Sequence, residues 1–476
     1  MSTDAAASAD AGVLAADVTP RRIVGPTPCI ERVAARLAGL ADSSGGLDDS
    51  EGFDGTGGSG DFSGSGGLGG FTGERAALLE EFWAEAGRRG TPLVESVDGD
   101  PEHRAVTFLW RGHRVTRQVL LLANRIGDRD DLAASRLSLL PGTDIWYVGY
   151  RLRADHRGSY RMAADISPGQ PPASAALLQE RLRSLSAHAA PDPLNSRRMP
   201  GRWLARDSSV FALPRAPAQP WAEPRAGVAR GRVERHRLPA GVLGAERDVW
   251  VYLPPGADAA GLPAGLPADL PVLVLCDGDM WFGRLGFQDT LDALVADGAL
   301  PPLAVLAPDA VDNPTRQREL GAHDSYVGFL ADELLPWAAG RWPLTTDPAR
   351  TVVAGQSLGG LTSLYAGFLR PERFGNVLAQ SPSLWWRPGL PPGVAEVPPA
   401  RNPWLISRFN AAERRAITVH IDVGLHEGTL VEHTRGLYEA LRSRGCLATW
   451  NTYNGGHDHA CWRGCLADGL VSLLAR

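Results

Sequence analysis

Ser357 stands in Gly355-x-Ser357-x-Gly359, directly after the β-branched run Thr351-Val-Val-Ala354 and before an apolar, helix-competent stretch from Leu361 to Leu369 that ends at Pro371. A serine on a tight turn from strand to helix has its hydroxyl pushed into the open, where it can act as a nucleophile. The flanking glycines have a physical role. The turn predicts a strained backbone at Ser357, and residues without a Cβ let neighbouring segments pass that close.

A serine hydroxyl is a weak nucleophile alone and needs a base and a group that orients the base. The base is expected to be His457, in Tyr453-Asn-Gly-Gly-His-Asp-His459, with neighbouring His459 as the alternative. Paired glycines fold that loop tightly, and Asp458 suits the N-cap of a helix over Ala460 to Leu474. For the acid, Ile417 to Val423 alternates like a strand, and Gly424-Leu-His-Glu427 leaves its end. Active-site groups of open α/β sheets gather at the carboxyl ends of strands, which favours Glu427 over Asp422 inside the strand. His426 and His433 read as surface or supporting residues.

Two backbone N–H groups are needed to hold the oxyanion of an acyl-transfer reaction. One falls on Leu358. The other falls on the turn after Pro271-Val-Leu-Val-Leu-Cys276, a continuous apolar run of the kind found in doubly covered parallel strands. There Gly278 permits the turn and Asp279 supplies the donor.

The elements that must position these groups follow a pattern. Strands near 271, 303, 351, 376 and 417 alternate with helical stretches, and Arg232 to Tyr252 reads as an opening antiparallel hairpin. This is an α/β arrangement, an α/β-hydrolase domain expected over residues 216–476. Before it, short aromatic and β-branched runs (Ala105 to Trp110, Val115 to Leu122, Asp144 to Leu152) predict a small, immunoglobulin-like β-sandwich within residues 74–215. Glu74 to Gly87 and Ser174 to His188 have helical spacing, and Cys29 to Leu40 suggests a short helix. Residues 164–228, rich in Pro and Ala, read as a connection between the domains. The remainder of residues 1–73 is expected to be largely disordered: Ala-rich up to about residue 27, then a Gly/Ser/Asp-rich linker from Ser43 to Gly73.

The chain has 476 residues, room for two domains, and a net charge of −6, which argues against a general nucleic-acid binder. It contains no lysine; all 48 basic residues are arginine, so any anion site would be built from planar donor forks. No run of about twenty apolar residues suggests a membrane span, and the start shows no export signal. Five cysteines without a regular framework fit a reducing compartment, and the cytoplasm is the expected location. Cys461 and Cys465 suggest neither a metal site nor a disulfide, and no cofactor is indicated.

Several segments together resemble the enterochelin (ferric enterobactin) esterases. They are Gly355-Gln-Ser-Leu-Gly-Gly360, Gln380-Ser-Pro-Ser-Leu-Trp-Trp386, Gly455 to Gly464, Asp277-Gly-Asp-Met-Trp281 and Arg316-Gln-Arg-Glu-Leu320. Phe82-Trp83, Gly90 to Val94, Phe108 to Arg111 and Gly142 to Trp146 extend the likeness over roughly residues 76 to 476. The resemblance implies hydrolysis of the ester bonds of a ferric catecholate siderophore, with iron release inside the cell. It carries the serine, the histidine and the oxyanion loop onto Ser357, His457 and Asp277 to Asp279. A catecholate iron complex is anionic and aromatic, so its pocket should offer guanidiniums and aromatic walls. Arg316, Trp281 and Trp386 are the residues assigned to it, with Arg318, Trp385 and Trp462 nearby in the motifs. The sandwich is expected to do no chemistry and to help enclose the substrate, with Trp110, Arg111 and Trp146 as contacts. Two other readings share parts of this pattern: an exported acyltransferase of the same fold, and a non-catalytic module built on an inert hydrolase.

Overall fold

The computed structural model describes residues 18–44, 67–128, 130–167, 174–203, 205–257, 269–390 and 403–475. By contacts the chain forms two compact units, Met1–Arg198 with Asp207–Arg215, and Met199–Arg206 with Ala216–Arg476.

The first unit is a β-sandwich. One sheet runs in the order β1 (Arg21–Arg22), β6 (Ile145–Arg153), β3 (Asp100–Arg111) and β2 (Leu93–Val97), with β5 (Ser138–Leu139) also on β6. The other has the order β4 (Gln118–Ala123), β7 (Arg157–Asp165), β9 (Ser208–Ala212) and β8 (Arg198–Met199). Val106, Phe108, Val148 and Tyr150 of the first sheet meet Val119, Leu121, Tyr160, Met162 and Phe211 of the second in one core. Leu93, Leu109 and Ile145 point the other way, onto helices α1 (Pro28–Ser44) and α2 (Gly67–Arg89). Strand β3 is therefore covered on both faces, which is why residues 105–109 are buried without alternation.

Three expectations for this region are corrected. Arg21 and Arg22 pair with Arg151 and Tyr150, and Thr27 is fully buried, so order begins before residue 27. The expected linker overlaps two helices, since Ser43 and Ser44 end α1 and Gly67 to Gly73 open α2. Residues 1–17 and 45–66, also expected to be disordered, lie outside the described residues. Finally, the Pro/Ala-rich stretch is more than a connection. It contributes β9 to the sandwich, while in the second unit Gln219 Nε2 donates to the carbonyl of Ala460 at 2.9 Å. Trp221 Nε1 likewise donates to Asp297 at 2.9 Å.

The second unit is built on one eight-stranded sheet. Its order is β10 (Arg232–Ala240), β11 (Ala245–Leu253), β13 (Ala304–Pro308), β12 (Val272–Leu275), β14 (Thr351–Gln356), β15 (Asn376–Gln380), β16 (Thr418–Gly424) and β17 (Leu447–Tyr453). The β10–β11 hairpin joins antiparallel, and all strands from β13 to β17 pair parallel. Strands β12 to β15 are buried throughout, as strands covered by helices on both faces must be. Strand β17 escapes a sequence reading because it lies at the sheet edge, where apolar residues are mixed with Asn and Thr and burial is only partial. Among the described residues, no helix is long and apolar enough to cross a membrane.

Candidate active site

Five chain segments deliver side chains or N–H groups to the carboxyl ends of the parallel strands. Strand β14 ends at Gln356, Ser357 turns the chain with φ 57° and ψ −118°, and helix α4 (Leu358–Leu369) begins at once. The expected strain is present, because a positive φ is unfavourable for a residue with a Cβ. The glycines allow the turn: a Cβ on Gly355 would lie 2.5 Å from the carbonyl carbon of Gly359. The Ser357 N–H donates to the Gln380 carbonyl at 3.0 Å, tying the elbow to β15. The Ser357 and Ser383 hydroxyls are 3.1 Å apart.

His457 follows β17 on the Gly455–Gly456 loop, and its Nδ1 is 2.5 Å from Glu427 Oε2. Glu427 follows β16 and is buried at 4% exposure. Its other oxygen accepts from the Ser381 hydroxyl at 2.6 Å and the Gly424 N–H at 2.8 Å. Burial alone would raise the Glu427 pKa, but the adjacent His457 and these donors outweigh it and hold the carboxyl below its usual value. A carboxylate on Nδ1 makes that nitrogen the donor and leaves Nε2 as the basic one. Asp422 serves elsewhere: it is fully buried and bonded to Gln380, Asn451 and His420. Packing around His459 pushes its pKa down to about 3, and its ring lies against Trp281 and Trp462. Asp458 caps helix α5 (His459–Leu474), accepting from the Ala460 N–H at 2.9 Å.

Strand β12 leads through Cys276 to Asp277, which has a left-handed backbone (φ 67°, ψ 46°), and then to the single turn α3 (Gly278–Trp281). A Cβ on Gly278 would come within 2.1 Å of the Ala307 carbonyl, so no other residue fits here without rearrangement. Gly278 and Asp279 open α3 and Leu358 opens α4, positions whose N–H groups have no acceptor within their own helix.

The residues assigned to the substrate are placed differently from expectation. Trp281 is fully buried and donates to Gln356 Oε1 at 2.8 Å, so it is a core residue and not a pocket wall. The Arg316 guanidinium is spent on both oxygens of Asp277, at 2.8 and 2.7 Å, with 13% of its side chain exposed. Trp386 is half-buried and packs edge-on against Trp404. Trp462 is buried under the His457 ring, and its N–H donates to the Ser381 hydroxyl at 3.0 Å. Arg318 is exposed. In the first unit, Arg111 pairs with Asp144 and Glu80, Trp110 is half-buried, and Trp146 is buried.

Sequence reasoning missed Ser381, Ser383, Tyr453 and Arg202. The two serines had a signal, their place just past the end of β15. Arg202 had none: it lies 75 residues before Asp277 in sequence, yet its Nη2 donates to that carboxylate at 2.9 Å. Among the described residues, no cluster of His, Cys, Asp and Glu is arranged to hold a metal ion.

Comparison with known proteins accounts for both units. Residues 105–222 match the family model for the enterochelin esterase N-terminal region, and residues 240–473 match the esterase model. The chain is 34% identical over 403 residues to the iron(III) salmochelin esterase of Escherichia coli, covering 83% of this chain and 94% of that one. It is 34% identical over 426 residues to the iron(III) enterobactin esterase of Dickeya dadantii, covering 83% and 93%. The crystal structure of ferric enterobactin esterase from Salmonella typhimurium superposes with a TM-score of 0.69 at 30% identity, covering 82% of this chain and 98% of that one. With both units matched by proteins of one kind, the chain belongs to the enterochelin esterase family of ester hydrolases.

Proposed function

We propose that this protein hydrolyses the ester bonds of a ferric catecholate siderophore of the enterobactin or salmochelin type, so that iron is released from the fragments. The observation that carries the substrate class is the 34% identity, across both units, to an iron(III) salmochelin esterase. The 2.5 Å contact of His457 with Glu427, at the same end of the sheet as the Ser357 elbow, supports a serine mechanism.

In that mechanism Ser357 Oγ attacks the ester carbonyl while His457 Nε2 takes its proton, and Glu427 steadies the imidazolium. The oxyanion is held by the N–H of Leu358 together with that of Gly278 or Asp279. Collapse of the tetrahedral species breaks the ester C–O bond, and His457 returns the proton to the departing alkoxide. Water, deprotonated by His457, then attacks the acyl-serine and frees the carboxylic acid and Ser357. Trp386 and the exposed Arg318 remain the groups we assign to the substrate's rings and charge. We place the reaction in the cytoplasm, where Cys29, Cys276 and Cys446 persist as buried thiols.

Incubating the protein with ferric and iron-free catecholate trilactones, and resolving the products by mass spectrometry, tests the substrate. Ser357→Ala should fold normally yet lose about three or more orders of magnitude in kcat, because the residual rate comes from binding and the oxyanion site alone. A variant retaining a tenth of the wild-type rate would rule out the acyl-serine route.

A further inference from the structure

Residues 200–206 lie in sequence between β8 and β9, two strands of the sheet that also holds β4 and β7, but belong to the hydrolase unit. From this segment Arg202 reaches the turn after β12. Its Nε and Nη2 grip both oxygens of Asp279, at 2.9 and 2.7 Å, and Nη2 also donates to Asp277 at 2.9 Å. The Arg202 side chain is 16% exposed, and its guanidinium lies over the Trp203 ring at 4.4 Å. Asp277 is 4% exposed and is held from its other side by Arg316. Two carboxylates and two guanidiniums thus balance beside the N–H groups of Gly278 and Asp279. Burial would raise the Asp277 pKa, but Arg316 and Arg202 outweigh it and hold the carboxyl far below its usual value, so the charges persist.

We propose that Arg202 is a positioning residue for ester hydrolysis, which fixes the Asp277–Asp279 turn within the hydrolase unit and cancels its negative charge where an oxyanion must form. The inference rests on the serine-esterase reading above. Donors preset toward developing charge contribute most when nothing nearby opposes that charge. Without Arg202, the Asp279 carboxylate keeps only the Ala310 N–H, at 3.2 Å, among these partners. The turn then carries an excess negative charge and loses its second brace. Because Arg202 belongs to the hydrolase unit and braces the turn rather than the substrate, its loss should affect every ester, large or small.

The test uses the full chain and two substrates, p-nitrophenyl acetate and a ferric catecholate trilactone. Arg202→Met should lower kcat about 10- to 100-fold on both, with KM changed less than about threefold, as loss of preorganised geometry requires. Adding Asp279→Asn removes the excess charge while keeping an acceptor for Ala310, so the double variant should regain most of the lost kcat. Arg202→Lys should fall between wild type and Arg202→Met. A kcat for Arg202→Met within about twofold of wild type would overturn the proposal. So would a loss seen only in KM for the siderophore, or a loss that tracks a lower melting temperature and is not recovered in the double variant. Ser357→Ala run alongside separates the two readings. If Ser357→Ala is inert and Arg202→Met is normal, only the role of Arg202 fails; if Ser357→Ala is active, the serine mechanism itself fails.

Discussion

The two units of this protein treat backbone strain differently. In the sandwich, among the described residues, Arg125 is the one non-glycine residue with a positive φ. In the hydrolase unit Asp277, Ser357 and Ser381 all have positive φ, and they follow the ends of β12, β14 and β15, three neighbouring strands. Each such conformation costs about 1–3 kcal/mol and persists only where the surroundings over-determine it. Here they do: the Ser357 N–H is fixed on Gln380, the Ser381 N–H on the Asp422 carbonyl, and the Asp277 carboxylate on two arginines. The sandwich, with an apolar core and a buried hydrogen-bonded group around Asp192, is built with little such backbone strain. At one end of the hydrolase sheet such strain is concentrated, and that end is where an ester would react.

The sharpest way to break this contrast is to exchange the roles of two buried carboxylates in the hydrolase. Glu427→Gln should lower kcat about 10³- to 10⁴-fold, since an amide no longer steadies the imidazolium. Asp422→Asn should act on stability, because its carboxylate accepts from Gln380 and Asn451 inside the sheet. Steady-state kinetics with circular-dichroism melts decides the matter; an inactive but stable Asp422→Asn would reverse the assignment. Next in size is Gly278→Ala. Its Cβ would need to displace the Ala307 carbonyl, 2.1 Å away, so the turn must shift and kcat should fall about 10- to 100-fold. Normal kinetics would remove this turn from the oxyanion site.

A change in the sandwich should have the opposite signature. Phe108 is fully buried, with edge contacts to Tyr150, Tyr160 and Phe211. Phe108→Ala should cost about 3–5 kcal/mol in denaturant unfolding of the first unit. It should leave kcat on p-nitrophenyl acetate unchanged per folded molecule, and a falling kcat with intact stability would contradict the contrast. The smallest effect is in acid. Asp277 has a depressed pKa in the folded state, so its contribution to stability is fully present above its unfolded value, near 3.8, and is lost as pH falls below that. The difference in melting temperature between wild type and Asp277→Asn should therefore be largest at pH 7 and should narrow below about pH 4. A constant difference would mean that the ion pairs add nothing.

Much of this was written in the chain itself. The Gly355-x-Ser357-x-Gly359 turn, the apolar run into Asp277 and the Gly-Gly-His loop are local patterns whose physics is local: a strand, a residue without a Cβ, a cap. Likewise the alternation of strands with helices marked the parallel sheet, and the short aromatic runs marked the sandwich. Tertiary structure alone decided what depends on meeting across distance. Trp281 and Arg316 have the right chemistry for an anionic aromatic ligand, but packing buries the first and Asp277 occupies the second. Arg21 and Arg22 read as disordered because a two-residue strand has no periodicity of its own and exists by pairing with β6. Strand β17, half-buried and at an edge, is defined by its register with β16. Glu427 and Asp422 lie five residues apart with equivalent charges, and only the loop that brings His457 to one of them distinguishes a partner for a base from a brace within the sheet. Arg202 is the extreme case. Nothing near it in sequence predicts a role, because its partners are set by a connection that leaves one domain and folds into another.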